Sequence, residues 1–252
     1  MLYFVIMTKI LSSYGALSSL FYELTNTYAS QKEVAFYTSF LAQKDDKILE
    51  AMSGAGRLMV PLLKQGYHVE GVDNSSAMLE RCKVRCASLK LNPALYEQSL
   101  ERMTLPHQYA LATICVGSFQ LITNRASALQ ALKNIYAHMQ HGGSLLIDFF
   151  IPEEPEDPYS EQLIKIDERR SLHLARHNVF DADKKLADAV CIYSLLLDGV
   201  VQQTEQECIR VTWYTDDALK ALLEEAAFVV QGIYTEYFDD ENPSYIVHAQ
   251  KV

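Results

Sequence analysis

Short apolar runs alternate with amphipathic stretches over the first 150 residues of the chain. The apolar runs predict strands, and the stretches with apolar residues three or four positions apart predict helices. Such alternation is typical of a parallel sheet whose strands are connected by helices. Strands are predicted at 47–51, 68–72, 94–97, 110–116 and 144–150, and helices at 56–65, 75–89 and 125–140.

The segment from Tyr14 to Leu41 is also predicted to be helical, because its apolar and aromatic residues recur at helical spacing. After the last helix of this half comes "HGG". Either Gly142 or Gly143 is expected to end that helix in the left-handed conformation.

The pattern changes at "IPEEPEDP", residues 151–158, where three prolines and four acids predict a hinge. Alternating polar and apolar positions over 169–213 then predict a small antiparallel insertion. A helix at 215–227 and strands at 229–237 and 244–250 are expected to rejoin the main sheet. We therefore divide the chain into a core with its N-terminal helical segment, the insertion and a completing segment, at 1–152, 153–213 and 214–252.

Composition narrows the class of protein. The 252 residues, 49% hydrophobic, can bury one core with a small subdomain. A net charge of −10 argues against a nucleic-acid partner, and no apolar run has the roughly 20 residues of a membrane helix. Five irregularly spaced cysteines fit a reducing compartment, and "MLYFVIM" lacks the basic residues of a secretory signal. We expect a cytoplasmic protein, with Met7 as an alternative start to Met1.

The stretch "ILEAMSGAGR" is the first candidate for chemistry. It places Gly54 and Gly56 between a predicted strand and a predicted helix, where backbone N–H groups favour a polar or anionic ligand. A dinucleotide-binding loop needs a small residue at Met59, so a nicotinamide oxidoreductase is disfavoured. Asp73 ends the next strand, where its carboxylate can bind a ribose diol, and Ser75 or Ser76 is expected to cap the following helix.

The sequence "ILEAMSGAGRLMVPLLKQGYHVEGVDNSSAML" resembles the first two motifs of class I S-adenosylmethionine-dependent methyltransferases. Upstream, "SYGALSSLFYEL" is similar to the N-terminal helix of the branch that includes sugar amine and glycine N-methyltransferases. Downstream, "YALATICVGSFQLITNRASALQALKNIYAHMQHGGSLLIDFF" resembles the fourth strand, crossover helix and fifth strand of that branch. The resemblance implies a Rossmann-like α/β fold, with a mostly parallel seven-stranded sheet whose last strand is antiparallel, plus the antiparallel insertion.

The resemblance also implies that S-adenosylmethionine is the cofactor, and it assigns roles to residues at the strand ends. These are Glu50 behind the loop, Met52, Ser53, Gly54 and Gly56 at the methionine part, Asp73 at the ribose, Asn74, Met78, Ser99 and Leu100 around the adenine, and Val116 and Gly117 at the sulfonium.

Three positions depart from the family pattern: Met52 in place of a glycine, Ser99 in place of an acid and Ala110 in place of an aspartate. Met52 is tolerable if its side chain turns into the core. Leu121 stands where relatives that methylate sugar amines often have a histidine. These departures leave open a degenerate protein that binds the cofactor without turnover.

The expected reaction is methyl transfer to N or O of a small molecule, with the insertion as lid and acceptor wall. Candidates for the catalytic role are Tyr14, which can instead pack the N-terminal helix, and His173 and His177. The two histidines share one face of a predicted strand, where they can cover the pocket or lie at a solvated edge, which the sequence favours. Asp148 is an isolated carboxylate on an apolar strand and needs a partner. Cys82 and Cys86 are read as an ordinary helix face rather than metal ligands. The net charge favours a neutral or cationic acceptor. The sequence leaves the oligomeric state open between a monomer and a homodimer.

Overall fold

The computed structural model describes residues 14–26, 28–236 and 244–252. Its helices are α1 (Ala16–Thr25), α2 (Gln31–Thr38), α3 (Met59–Lys64), α4 (Ser76–Ser88), α5 (Arg125–His138) and α6 (Asp216–Glu225). Its strands are β1 (Lys47–Ala51), β2 (His68–Asp73), β3 (Leu95–Glu97), β4 (Tyr109–Ile114), β5 (Met139–Phe149), β6 (Tyr159–Lys165), β7 (Arg170–Asp181), β8 (Leu186–Leu197), β9 (Val200–Thr212), β10 (Val229–Glu236) and β11 (Ser244–Gln250). None of the helices in these ranges is long and apolar enough to cross a membrane.

Seven strands form the main sheet, in the order β10-β11-β5-β4-β1-β2-β3. The pairs among β1 to β5 are parallel, whereas β11 is antiparallel to both β5 and β10. The order reverses between β1 and β4, and ligands of open α/β sheets bind at such a reversal, beyond the carboxyl ends of the strands. The predicted fold class, including the antiparallel last strand, is confirmed.

Helices cover both faces of this sheet and bury two apolar clusters. Leu49, Ile114 and Leu132 belong to the cluster on the side of α5 and α6. Ile48 and Leu111 belong to the cluster on the side of α2, α3 and α4. Alternate residues of each strand therefore enter different clusters, as the period of a strand requires.

The prediction of one helical segment from Tyr14 to Leu41 is wrong, because α1 and α2 are separate helices. The α1 helix ends where Asn26 takes an extended conformation, with φ of −105° and ψ of 107°. A new helix begins after Ser30, whose side chain accepts a hydrogen bond from the Glu33 N–H. Asparagine and serine favour helix ends because their side chains compete for backbone hydrogen bonds.

The prediction that Gly142 or Gly143 ends the fifth helix is also wrong. The α5 helix ends at His138, and Met139 is already extended. Gly142 does adopt a left-handed φ of 79°, but within β5, next to a shift in the register between β4 and β5. Its N–H donates a 2.7 Å hydrogen bond to the Lys251 carbonyl. The glycine therefore serves a bulge rather than a helix end.

The insertion forms a second sheet of four antiparallel strands, in the order β6-β7-β8-β9. Sequence reasoning identified β7, β8 and β9 but missed β6, which is an exposed edge strand with little apolar alternation. One face of this sheet packs on α1, where Leu172, Leu174 and Tyr193 meet Leu17 and Phe21. The insertion is thus held against the N-terminal helix by an apolar cluster of its own.

Candidate active site

Two adjoining cavities open at the carboxyl ends of β1, β2 and β4. The inner cavity, of about 60 Å³, lies between Glu50, Gly54 and Arg57. The outer cavity, of about 270 Å³, extends from Asn74 and Ser99 to residues 207–210 of β9. Both are lined by Tyr14, Met52, Asp73, Asn74 and Leu121, so they form one continuous cleft.

The loop after β1 explains why glycine is usual at the position of Met52. Met52 has a left-handed φ of 58°, which costs a residue with a side chain roughly 1 to 2 kcal/mol. Its side chain is partly buried against the core on the α5 side and also lines the cleft. Gly54, at φ of 52°, follows in the same conformation. Met52 therefore preserves the backbone path of a glycine loop while adding apolar surface to the cleft.

Asp73 joins this loop to the start of α4. Its Oδ2 accepts a 2.8 Å hydrogen bond from the Gly54 N–H, and its Oδ1 accepts one of the same length from the Ser75 N–H. Burial raises the pKa of the Asp73 carboxyl, and these backbone N–H groups oppose the rise. Ser75 accepts a hydrogen bond from the Met78 N–H and so caps α4. Asp73 is thus placed to bind a ligand and also shapes the cleft.

Polar groups behind the loop point to a polar ligand in the inner cavity. Oε2 of Glu50 and Oγ of Ser53 are buried and have no hydrogen-bond partner among the described residues. Burial raises the pKa of Glu50 to about 8, and the nearby Arg57 guanidinium opposes the rise. Arg57 is held by Glu33 in a two-pronged ion pair, with N–O distances of 2.7 and 2.8 Å. Unpartnered buried polar atoms fit the polar amino-acid end of S-adenosylmethionine.

A strained turn follows β4 at the inner cavity. Val116 has φ of 55° and Gly117 has φ of 64°. A left-handed conformation is an outlier for a β-branched residue. The Val116 N–H donates a 2.8 Å hydrogen bond to Oδ2 of Asp148, a carboxyl whose pKa burial raises to about 7. Asp148 therefore has the partner that the sequence called for, and it holds the turn.

Most of the site residues predicted from the sequence line the cleft. These are Tyr14, Glu50, Met52, Ser53, Gly54, Asp73, Asn74, Met78, Ser99, Leu100 and Val116. Gly56 and Gly117 line neither cavity, and their place beside the cofactor stays a prediction. A Cβ on Gly56 would lie 2.7 Å from the Cys82 sulfur, and one on Gly117 would overlap the Phe150 ring. Both glycines are required for close packing behind the cleft.

His173 and His177 lie outside the cleft, which corrects their expected place in its roof. They alternate with Leu172 and Leu174, whose side chains face α1, so the histidines occupy the other face of the sheet. Nε2 of His173 lies 3.5 Å from the Glu161 carboxylate, and His177 stacks on Tyr159 at 4.5 Å. Both histidines therefore contact the edge strand β6 instead of the cleft.

Residues of β9 that sequence reasoning did not select complete the outer cavity. They are Glu207, Cys208, Ile209 and Arg210. The available signal was the alternation in "TEQECIRVTW", which places Glu207 on the same strand face as Ile209 and Val211. Tyr14 and Tyr22 contribute hydroxyls, and burial raises both pKa values, that of Tyr22 to about 12. These phenols therefore remain protonated at neutral pH and cannot act as bases.

Residues 48–143 match a family described as a methyltransferase domain. A "Putative methyltransferase" of Geobacillus sp. (strain WCH70) is 23% identical over 198 residues, which are 79% of each chain. The sugar N-methyltransferase KedS8 from Streptoalloteichus sp ATCC 53650 superposes with a TM-score of 0.78 at 13% identity, over 98% of this chain and 97% of that one. CalS10, a SAM-bound amino pentose methyltransferase from Micromonospora echinaspora, gives a TM-score of 0.66 at 14% identity, over 87% and 88%.

The chain has the class I methyltransferase fold, and residues 48–143 are similar to the methyltransferase domain family. The resemblance seen in the sequence is confirmed. The domain and the fold also support S-adenosylmethionine as the cofactor.

Proposed function

We propose that this protein transfers the methyl group of S-adenosylmethionine to a nitrogen or oxygen atom of a neutral or cationic small molecule. One observation carries the proposal: the inner cavity, beside the glycine loop, continues into an outer cavity that β9 of the insertion closes. A cofactor bound along Asp73 and Gly54 has its adenosine in the part of the outer cavity lined by Asn74 and Ser99, and leaves the part beside β9 for the acceptor.

In this proposal, different residues of the cleft bind different parts of the cofactor. Asp73, Ser99 and Leu100 line the outer cavity, which supports a role for Asp73 in accepting hydrogen bonds from the ribose hydroxyls and for Ser99 and Leu100 in flanking the adenine. Glu50, Ser53 and Arg57 surround the amino-acid end. The bound cofactor supplies an electrophilic methyl group on a positively charged sulfur. The protein aligns the acceptor with that methyl group and excludes water, which is the main requirement of an in-line displacement.

The size of the cleft favours a small acceptor. The outer cavity of about 270 Å³ lies below the usual range for a whole ligand pocket, roughly 300 to 1,000 Å³. The insertion, spanning 153–213, acts as lid and acceptor wall in this proposal, because residues 207–210 line the cavity. Acids in the hinge at 153–157 and the net charge of −10 disfavour a phosphorylated acceptor. The sugar N-methyltransferase among the structural relatives has a small-molecule acceptor by its name.

Ligand-induced shifts in melting temperature test the cofactor assignment. S-adenosylhomocysteine at a hundred times its Kd is expected to stabilise the protein by about 2.7 kcal/mol, whereas NAD at the same concentration leaves the melting temperature unchanged. Stabilisation by NAD alone would contradict the proposal. A screen with methyl-labelled S-adenosylmethionine and small amines and alcohols then tests turnover. Tight cofactor binding without turnover on any of them would favour the degenerate binding protein.

A further inference from the structure

Glu207 is a buried acid that none of the cofactor roles uses. Its side chain is 2% exposed, yet it lies at the wall of the outer cavity. Its Oε2 has no hydrogen-bond partner among the described residues. A buried carboxylate needs a partner that satisfies its oxygens, and the cavity is where a partner can bind.

None of the charged groups described around Glu207 supplies a positive charge that pairs with its carboxylate. The Ser18 hydroxyl donates a hydrogen bond to it, and Glu205 repels it. Arg210 lines the same cavity but is ion-paired with Asp188 at 2.5 Å. Arg176 lies two strands away on the same sheet face, where it contacts Cys191, and it forms no ion pair with Glu207 within 4 Å. No described cation therefore neutralises Glu207.

The remaining titratable groups around Glu207 carry no positive charge. The Tyr14 hydroxyl faces it from the N-terminal segment, and Tyr193 and Cys191 face it from β8. Cys208 is its neighbour on β9, while Asp73 and Glu101 line the other side of the cavity. The cavity thus offers neutral phenols and thiols together with several carboxylates. Burial raises the pKa of Glu207 to about 7, so protonation of this group is finely balanced at neutral pH.

We propose that Glu207 binds the ammonium group of the acceptor in the outer cavity and takes its proton, so that the acceptor is a primary or secondary amine. The inference rests on the proposed methyl transfer and narrows it from nitrogen or oxygen to amine nitrogen.

The proton balance is simple. An ammonium has no lone pair, so the acceptor nitrogen first gives one proton to the Glu207 carboxylate. The lone pair of the neutral nitrogen then forms a bond to the methyl carbon as the carbon–sulfur bond breaks. The electron pair of the carbon–sulfur bond stays on sulfur. The products are S-adenosylhomocysteine and a methylated ammonium, and Glu207 releases its proton to water. One proton is released overall for each methyl group transferred.

Glu205 provides a matched control. It is also an acid of β9 on the same face, two residues away, but it accepts hydrogen bonds from the Leu17 and Ser18 N–H groups at 3.0 and 2.9 Å. It lines neither cavity. Glu207→Gln removes the charge with little change of shape, and Glu205→Gln makes the same change outside the cleft. A positioning role for Glu207 through Ser18 would survive Glu207→Gln, because the amide oxygen still accepts that hydrogen bond.

Calorimetry on the S-adenosylhomocysteine-loaded protein tests the proposal. The probes are glucosamine, galactosamine and benzylamine, each matched with glucose, galactose or benzyl alcohol. Wild type and Glu205→Gln are expected to bind at least one amine tenfold or more tighter than its matched alcohol. At pH 7, in buffers of different ionisation enthalpy, binding of the amine should release protons, because the ammonium shifts Glu207 to its charged form. Glu207→Gln should lose both the preference and the proton release.

Other outcomes overturn the inference in distinguishable ways. Equal binding of amines and alcohols by wild type, or an amine preference that persists in Glu207→Gln, removes the role of Glu207. A tenfold loss of S-adenosylhomocysteine affinity in Glu207→Gln would assign the carboxylate to the cofactor instead. Failure of the wild type to bind S-adenosylhomocysteine would overturn the proposed function itself, whatever the amines do.

Discussion

The Val116 N–H donates a 2.8 Å hydrogen bond to Oδ2 of Asp148, and this bond ties the strained turn after β4 to the neighbouring strand β5. Strained residues cluster at functional sites, where the surrounding structure holds them in place. Val116 lines the inner cavity, so the bond positions a wall of the cleft. The acceptor of the bond is the Asp148 carboxyl, whose pKa burial raises to about 7.

The first prediction is that Asp148→Asn stabilises the protein at high pH. The pKa of Asp148 is raised from 3.8 to about 7 in the folded protein. The contribution of this carboxyl to the free energy of unfolding is therefore fully present below pH 4 and is lost as the pH rises through 7. The asparagine oxygen still accepts the Val116 N–H, and the amide does not ionise. Denaturant unfolding should therefore give the variant a relative gain of about 2 to 4 kcal/mol between pH 4 and pH 8.

Asp45→Asn is the control, because Asp45 is exposed. The difference in unfolding free energy between Asp45→Asn and wild type should stay constant over the same pH range. An Asp148→Asn variant whose stability runs parallel to wild type from pH 4 to pH 8 would show that Asp148 is ionised in the folded protein.

The second prediction compares Met52→Gly with Met52→Ala. Both variants lose the packing of the methionine against the core, but only alanine must still adopt the left-handed φ of 58°. Met52→Gly is therefore expected to be more stable than Met52→Ala by about 1 kcal/mol. Thermal unfolding of the two variants measures the difference. Greater stability of the alanine variant would mean that the loop adopts another backbone conformation in solution.

The third prediction concerns Asp73→Ala. The substitution should weaken S-adenosylhomocysteine binding by roughly 1.5 to 3 kcal/mol, the usual loss for a hydrogen bond to a charged group. It should also lower the melting temperature, because the Gly54 and Ser75 N–H groups lose their acceptor. Glu97→Ala, at the pairing position of the next strand and outside both cavities, should leave the affinity unchanged. Unaltered binding by Asp73→Ala would remove the ribose assignment.

The fourth prediction is a coupling between Gly15 and Glu205. A Cβ on residue 15 would lie 2.6 Å from the Glu205 carboxylate, so Gly15→Ala should displace that carboxylate from the first N–H groups of α1. Each of Gly15→Ala and Glu205→Ala is expected to cost about 1 to 2 kcal/mol of unfolding free energy. The double variant should cost at least 0.5 kcal/mol less than the two single effects added together. Strict additivity would show that the two residues act independently.

The parts of the site that the sequence could predict are local. The glycine loop, Asp73 and the Ser75 cap lie within 25 consecutive positions, and each conformation depends on nearby residues. Most strands of the main sheet were also predictable, because burial on both faces leaves continuous apolar runs. The alternation in β9 could have drawn attention to Glu207, since an acid there interrupts an apolar face.

The rest depends on which elements pack together. For His173 and His177 the sequence left both the cleft and a solvated edge open, because strand periodicity groups residues by face but does not say which face is turned inward. The edge strand β6 has almost no buried face, so it carries little apolar signal. The break between α1 and α2 was hidden by apolar residues at helical spacing on both sides. The backbone at Gly56 packs closely against Cys82, and the backbone at Gly117 packs closely against Phe150. These contacts are visible only in the folded structure.

The bond between Glu205 and α1 has a consequence for synthesis of the chain. The α1 helix obtains its cap from Glu205, which lies 188 and 187 positions after the Leu17 and Ser18 N–H groups that it binds. Until β7 and β8 have been made, the apolar side chains of Leu17 and Phe21 also lack the sheet that covers them. Contacts this distant in sequence form late. We therefore expect the nascent chain to form much of its main sheet before α1 docks, and to need protection of α1 during translation.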